Sequence, residues 1–199
     1  MPLRLGLADD LTPLGACLRA GGTAVIPTDS VYGLVCSAAD ESACAEVSRL
    51  KGRDPSQPSS VLVATIGAAG ELTQDARGLA LLETGATVIL PNPDRRFPWL
   101  CGTTPERIGV RVSRFAPQLE AVLSELGPLL ATSANLHGGP DPATLADVPP
   151  ALAACVEVLV DGGRAEGVPS TVLDLTGPRP VILRAGQQGP HTLKELLDA

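Results

Sequence analysis

The sequence predicts an α/β fold in one compact domain. Short apolar runs of four to six residues alternate with longer segments of helical period, a pattern typical of layered α/β proteins. The chain has 199 residues, of which 44% are hydrophobic and 19% charged, so it can bury a full hydrophobic core. We therefore expect residues 1–199 to form a single domain.

The short apolar runs are the predicted strands, and most of them are too apolar for a face exposed to solvent. The runs are Thr23–Pro27, Val61–Ile66, Thr87–Pro91, Ile108–Val112, Leu129–Thr132, Val156–Val160, Thr171–Leu175 and Val181–Leu183.

One helix has clear start and stop signals. Ala43, Val47 and Leu50 recur at helical spacing after Asp40, a suitable N-cap, and Gly52 follows as a C-terminal stop. Further helices are predicted at Thr12–Ala20 and Pro117–Leu126, with a short closing helix at Thr192–Leu197. The Pro- and Gly-rich segments Pro91–Pro105 and Asn135–Pro142 are predicted loops.

Charge and composition exclude several classes of protein. Fifteen basic against 22 acidic residues give a net charge of −7, which argues against wholesale binding to a nucleic-acid backbone. The five scattered cysteines include no CxxC pair and fit a reducing compartment. The N-terminal residues lack the apolar stretch of a signal peptide, and no segment is long enough to span a bilayer. We expect a cytoplasmic protein without membrane contact.

Common catalytic motifs are absent from the sequence. It contains no GxxxxGK[ST] phosphate loop, no GxGxxG turn, no GxSxG elbow and no HExxH helix. Because the only histidines are His137 and His191, a three-histidine metal centre is impossible. Both are more simply interpreted as surface histidines.

Polar clusters instead follow the apolar runs. In IPTDSVYGL, Thr28, Asp29 and Ser30 come directly after a strand, and Gly33 allows a close backbone approach, although a plain turn would look the same. In KGRDPSQPSS, Lys51 and Arg53 leave the end of a helix. Such cations often only complement the helix dipole.

Four further clusters carry arginines, hydroxyls and an amide. In RIGVRVS, Arg107 and Arg111 would share one face of a strand. In LLATSAN, Thr132, Ser133 and Asn135 follow an apolar run, where ligands bind in open α/β sheets, although a serine N-cap is an alternative. The remaining two clusters comprise the glycine-rich turn Asp161–Gly167 with Ser170 and Thr171, and Arg184 in ILRAG.

Together these clusters bring four cations to strand or helix ends of an acidic protein. They are Lys51, Arg53, Arg111 and Arg184. A small polyanion such as a nucleoside triphosphate is the ligand that such a set would favour.

The order of the clusters resembles that of the YrdC-like family over nearly the whole chain. The shared motifs are PTDSVYGL, KGR, RV, TSAN, DGG followed by PST, and LRAG. The resemblance implies a three-layer single domain with a twisted mixed β-sheet. It also implies an L-threonylcarbamoyladenylate synthase, which forms threonylcarbamoyl-AMP and pyrophosphate from L-threonine, bicarbonate and ATP, with Mg²⁺ accompanying the ATP. Family members supply this product to a tRNA threonylcarbamoyltransferase complex that modifies adenosine 37.

The resemblance also implies roles for individual residues. Lys51 and Arg53 would be catalytic. ATP would be bound by Lys51, Arg53, Gln57, Ser133, Asn135, Asp141 and Arg184. Threonine would be bound by Thr28, Ser30, Tyr32, Arg111 and Ser170. The serines would act as ligands and not as nucleophiles, because phosphoryl-type transfer needs positioning and charge stabilisation.

The chain departs from the family pattern at several loops. ETGATVIL stands at Glu83–Leu90 where a PGP turn is usual, RVS replaces RVP at Arg111–Ser113, and Ser30 replaces a threonine. Fewer prolines would soften the loops around the pocket. A divergent nucleotide-binding paralogue without synthase activity, or with another carboxylate substrate, is therefore one alternative. A double-stranded RNA-binding module is another, although the calculated pI of 4.8 and the lack of an aromatic platform disfavour it.

Overall fold

A computed structural model describes residues 1–54, 56–189 and Leu193. Within these residues, ten strands form one sheet, and six helices pack around it. The strands are β1 (Leu3–Gly6), β2 (Ala24–Ile26), β3 (Gly33–Ser37), β4 (Ser60–Val63), β5 (Thr87–Pro91), β6 (Arg107–Val112), β7 (Leu129–Ser133), β8 (Val158–Asp161), β9 (Val172–Asp174) and β10 (Val181–Arg184). The helices are α1 (Thr12–Arg19), α2 (Glu41–Lys51), α3 (Ile66–Gly70), α4 (Ala76–Glu83), α5 (Pro117–Ser124) and α6 (Pro150–Ala153).

The sheet is mixed, as predicted. Its strand order is β1-β8-β2-β3-β7-β4-β6-β5-β9-β10. The pairs β1–β8, β2–β8, β4–β6 and β5–β9 are parallel, and the other neighbours are antiparallel. Strands that are distant in sequence therefore lie side by side. The loops that follow these strands can then approach one another in space.

Two hydrophobic cores lie on opposite faces of the sheet. Val61 and Val63 of β4 belong to one core, with residues of α2 and α4, whereas Leu62 between them belongs to the other, with residues of α1 and α5. This division follows from the alternation of side chains along a strand. The resulting order of helix, sheet and helix is the predicted three-layer arrangement.

Local signals predicted several elements correctly. The side chain of Asp40 accepts a hydrogen bond from the backbone nitrogen of Ala43 at 3.0 Å, so it caps α2. Gly52 ends that helix with φ of 63°, a conformation that favours glycine. All eight predicted strands overlap observed strands, and β5 has the predicted bounds. The closing helix predicted at Thr192–Leu197 lies outside the described residues except for Leu193, which is buried.

Other predictions were wrong or incomplete. The run Val61–Ile66 is not one strand: β4 ends at Val63, and Thr65 caps α3 by accepting a hydrogen bond from the backbone nitrogen of Ala68 at 3.2 Å. The structure adds β1, β3, α3, α4 and α6, none of which was predicted. The exposed strand β10 lies at the edge of the sheet.

Within the described part of the chain, none of the helices has both the length and the apolar character that crossing a membrane requires. The five cysteines all lie in that part, and each is a free thiol.

Candidate functional site

A cavity of about 490 Å³ lies over the open part of the sheet. Its floor is a row of small residues from three neighbouring strands, because Ser60 of β4 pairs with both Gly109 of β6 and Ala131 of β7. Leu62 also lines the cavity and belongs to the core beneath α1 and α5, so the cavity lies on that face of the sheet. Because these side chains are small, the cavity has room above the sheet for a flat or bulky ligand.

Most of the predicted site residues meet at this cavity. Its lining includes Thr28, Arg53, Arg111, Ser133, Asp141, Ser170 and Arg184. The other predicted residues are Ser30, Tyr32, Lys51, Gln57 and Asn135, which lie behind or beside that lining and bond to it or to the loops that carry it. Three of the four predicted cations thus line one cavity, and Lys51 lies directly behind it.

Arg111 is held from two sides by the loop that follows β2. Its Nη2 donates to Asp29 Oδ1 at 2.6 Å, and its Nη1 donates to Ser30 Oγ at 2.7 Å. The Arg111 side chain is only 12% exposed, and its Nε has no hydrogen-bond partner among the described residues. Burial lowers the pKa of Arg111, Asp29 raises it, and the positive charge of Arg184 lowers it.

Arg184 and Ser170 form the neighbouring wall of the cavity. The Nε and Nη2 atoms of Arg184 donate to the backbone oxygen of Ser170, at 3.2 and 2.8 Å. The Ser170 hydroxyl is in turn 2.8 Å from the hydroxyl of Thr87, which lies opposite Arg111 in the sheet. A continuous polar surface therefore runs from Arg111 through Thr87 and Ser170 to Arg184.

Arg53 lies on the other side of the cavity. Its guanidinium donates to Gln57 Oε1 at 3.0 Å, to the backbone oxygen of Pro58 at 2.6 Å and to Ser59 Oγ at 3.3 Å. Burial lowers its pKa. All three of these acceptors are neutral oxygens, so the positive charge of Arg53 is left available to an anionic ligand.

Lys51 is buried, at 5% exposure, and bonds to the loop after β7. Its Nζ donates to the backbone oxygen of Ser133 at 2.5 Å, and to Oδ1 and the backbone oxygen of Asn135 at 2.6 and 3.0 Å. The pKa of Lys51 is lowered to about 8, mainly by burial and also by the positive charge of Arg53, while the charge of Asp141 partly opposes this shift. Lys51 thus adds positive charge beneath the loop that carries Ser133.

Asn135 fixes the shape of that loop. Its Oδ1 accepts from Ser133 Oγ at 2.8 Å, and its Nδ2 donates to the backbone oxygen of Gly139 at 2.7 Å and to Asp141 Oδ1 at 3.2 Å. The amide therefore connects two residues of the cavity lining, Ser133 and Asp141. The predicted loop at Asn135–Pro142 is an ordered part of the site.

Tyr32 is fully buried and anchors the glycine-rich turn after β8. Its hydroxyl donates to the backbone oxygen of Gly163 at 2.7 Å and accepts from the backbone nitrogen of Gly162 at 3.0 Å. Burial raises the pKa of Tyr32. The structure thus places this predicted threonine contact behind the cavity lining, with its hydroxyl bonded to backbone.

Sequence reasoning did not assign roles to three residues that organise the site. They are Asp29, which binds Arg111; Thr87, which bonds to Ser170; and Ser113, which is 1% exposed and donates to Asp29 Oδ1 at 2.6 Å. Asp29 lies inside the PTDSVYGL motif, so its presence at the site could have been predicted from the sequence. Thr87 and Ser113 had no such signal, because their partners are more than 80 residues away.

The charges of the site favour a small anion. Among the described residues, Arg53 and Arg184 form no ion pair with a carboxylate, whereas Arg111 pairs with Asp29 and Arg107 pairs with Asp174. Groups of three or more His, Cys, Asp or Glu side chains placed to hold a metal do not occur in the described ranges. Fold and site define the class: an α/β protein with a cationic cavity for an anionic small molecule.

The chain belongs to the family of Sua5, YciO and YrdC proteins. The family, described as telomere recombination, matches residues 16–186. Threonylcarbamoyl-AMP synthase of Stenotrophomonas maltophilia is 39% identical over 158 residues, which cover 74% of this chain and 83% of that protein. The putative threonylcarbamoyl-AMP synthase of Mycobacterium tuberculosis is 33% identical over 186 residues, which cover 90% and 85%.

Solved structures agree with this assignment. The crystal structure of Pyrococcus abyssi Sua5 complexed with L-threonine matches with a TM-score of 0.87 at 26% identity, covering 99% of this chain and 61% of that chain. This chain thus spans about three fifths of that longer protein. The fold of Escherichia coli YciO matches with a TM-score of 0.81. The predicted family and α/β fold are confirmed, and the named relatives support an enzyme, a synthase of nucleotidyltransferase type.

Proposed function

We propose that this chain is a threonylcarbamoyl-AMP synthase that acts on ATP, L-threonine and bicarbonate. The observation that carries the proposal is the convergence of Arg53, Arg111 and Arg184 on one cavity, with Lys51 behind it. These residues are up to 133 positions apart in the sequence. Such convergence in an acidic protein favours an anionic ligand, whose charge would offset the mutual repulsion of the cations.

The amino-acid end of the cavity is proposed to be the wall formed by Arg111 and Ser170. Arg111 would bind the threonine carboxylate, since a guanidinium matches a carboxylate in charge and shape. The hydroxyls of Ser30 and Ser170 would orient the small amino acid. Ser30 holds Arg111 directly, and Ser170 lies between Thr87 and Arg184, so all these groups are fixed before a ligand arrives.

The nucleotide end is proposed to lie between Arg53, Ser133 and Arg184. The two guanidiniums would neutralise phosphate oxygens, and the Ser133 hydroxyl would donate to one of them. Lys51 would act from behind the lining by its charge and by holding the loop of Ser133. Gln57 and Asp141 would support Arg53 and Asn135, respectively, as their hydrogen bonds indicate.

The proposed reaction needs no covalent intermediate on the protein. The threonine nitrogen and bicarbonate form a carbamate with loss of water. A carbamate oxygen then attacks the α-phosphorus of ATP, a new P–O bond forms, and the bond to the β-phosphate oxygen breaks to release pyrophosphate. The cationic walls would stabilise the charge that develops on the phosphate oxygens, and the two-ended cavity would hold the reactants in line.

We propose that Mg²⁺ enters as the companion of the ATP phosphates. Magnesium in nucleotide sites is typically held by substrate phosphates and one or two carboxylates. Asp141 is a carboxylate of the cavity lining that could contribute. We propose that the product passes to a tRNA threonylcarbamoyltransferase complex in the cytoplasm, because a mixed anhydride of this kind must be used before it hydrolyses.

Pyrophosphate release from ATP tests the proposal. Purified protein should release pyrophosphate only when threonine and bicarbonate are both present. Arg53→Ala and Arg184→Ala should lose most of this activity. Arg19→Ala should retain it, because it removes an exposed arginine that pairs with Glu125 and does not line the cavity. Release that is indifferent to threonine would disprove the proposal and favour a nucleotide-binding paralogue.

A further inference from the structure

Ser113 lies behind Arg111 and contacts the same carboxylate. Asp29 Oδ1 accepts two hydrogen bonds, one from Arg111 Nη2 and one from Ser113 Oγ, both at 2.6 Å. The backbone nitrogen of Asp29 also donates to Ser113 Oγ at 3.4 Å. We infer that Ser113 is a positioning residue for amino-acid binding, which acts through Asp29 to set the direction of Arg111; this rests on the proposed function.

The geometry explains how one hydroxyl could do this. Ser113 follows the last residue of β6, two positions after Arg111, so both side chains project to the same side of the strand. Asp29 comes from the loop after β2 and bridges them. Ser113 is 1% exposed, and the Arg111 and Asp29 side chains are 12% and 17% exposed. Water therefore competes little for these bonds.

If Ser113 did not bond to Asp29, the Asp29 carboxylate could rotate. Without the Ser113 hydroxyl, Asp29 Oδ1 would be held by Arg111 alone, and the pair could turn together. Arg111 carries the charge that would bind the substrate carboxylate, and a misdirected guanidinium loses affinity steeply because its hydrogen bonds depend on direction. The proposed nucleotide end is formed by Arg53, Ser133 and Arg184. In the described structure the Ser113 hydroxyl bonds to Asp29 and to none of these three residues.

Calorimetric titration with L-threonine, in the presence of a non-hydrolysable ATP analogue, tests this inference. Ser113→Ala should weaken threonine binding about three- to tenfold, the size of effect expected from losing one typical intramolecular hydrogen bond. Its affinity for the ATP analogue should change less than twofold. Ser48→Ala is the matched control, because it removes a serine hydroxyl whose hydrogen bond among the described residues stays within α2 and which does not line the cavity.

A double-mutant cycle tests whether the effect passes through Asp29. Ser113→Ala should add nothing to Asp29→Ala if Ser113 acts only through that carboxylate. Equal losses for threonine and the ATP analogue, an additive double mutant, or threonine binding by Ser113→Ala within twofold of the wild type would each overturn the inference while leaving the proposed function intact. A wild-type protein that binds the analogue but not threonine would overturn the proposed function, and the inference with it.

Discussion

Lys51 and Asn135 are joined by two hydrogen bonds from the same ammonium group. Lys51 Nζ donates to Asn135 Oδ1 at 2.6 Å and to the Asn135 backbone oxygen at 3.0 Å, and its third bond goes to the backbone oxygen of Ser133. An ammonium has three protons, so all are used. Under the proposed function, Lys51 would therefore influence a bound nucleotide by its charge and by shaping the loop, whereas Arg53 lines the cavity itself.

Replacing Lys51 and replacing Arg53 should have different effects on stability. Lys51→Met leaves buried oxygens of Ser133 and Asn135 without a donor, so the free energy of unfolding should fall by about 1–3 kcal/mol. Arg53→Ala removes a half-buried side chain and should cost less than about 1 kcal/mol. Urea denaturation measures both, and both variants should lose ATP-induced thermal stabilisation. Equal stability losses would contradict the different placement of these cations.

The same lysine predicts a dependence of stability on pH. Its pKa is about 8 in the folded protein against 10.5 in an unfolded chain, so between these values the unfolded state binds more protons. Stability relative to Lys51→Met should therefore rise with pH, by about 1 kcal/mol between pH 8 and 9. Denaturation curves of both proteins at pH 7.5, 8.5 and 9.5 give the difference. A difference that is flat or falls with pH would contradict the lowered pKa.

Tyr32→Phe should destabilise the fold more than it weakens substrate binding. The substitution removes the hydroxyl that bonds to Gly162 and Gly163 in a fully buried position, which should cost about 1–3 kcal/mol of unfolding free energy. Its threonine affinity should change less than that of Ser30→Ala, because Ser30 bonds to Arg111. Denaturation and threonine titration of both variants provide the comparison. A greater loss of affinity in Tyr32→Phe would indicate direct contact with substrate.

Gly33→Ala should separate binding from folding. A Cβ at Gly33 would meet Thr28 Cγ2 at 3.6 Å and the backbone oxygen of Thr132 at 3.8 Å, which are ordinary contacts, so unfolding free energy should change by less than about 0.5 kcal/mol. Because Gly33 lines the cavity, the methyl group should lower ligand affinity. Gly70→Ala, where a Cβ would meet nothing within 4 Å, is the matched control. Unchanged binding by Gly33→Ala would place the ligand elsewhere.

Elements with local chemical signals were predictable from the sequence, and elements that depend on distant packing were not. The caps of α2 are contained within its own segment, so they could be recognised. By contrast, α4 contains Gly78, which disfavours a helix, yet a Cβ there would meet Leu90 Cδ2 at 2.6 Å. The glycine allows the helix to pack closely against Leu90 of β5, and only the folded structure reveals that contact. β3 was missed because it follows directly after the turn of the first motif.

The site was predictable as a set of residues but not as a network. The motifs identified Ser30, Arg111, Ser170 and Arg184, which the structure brings together. Their hydrogen-bond partners depend on strand order, which the sequence does not reveal. Thr87, for example, meets Ser170 only because β5 lies between β6 and β9.

β8 lies between β1 and β2 and pairs in parallel with both. During synthesis, β1 and β2 therefore cannot be bridged until residues 158–161 have left the ribosome, and the edges that pair with β8 stay open until then. Arg184 emerges later still. Folding should therefore be slow for a chain of this size, because long loops must close before the sheet is complete. A nascent chain would therefore complete the arginine lining of its cavity only after Arg184 has emerged.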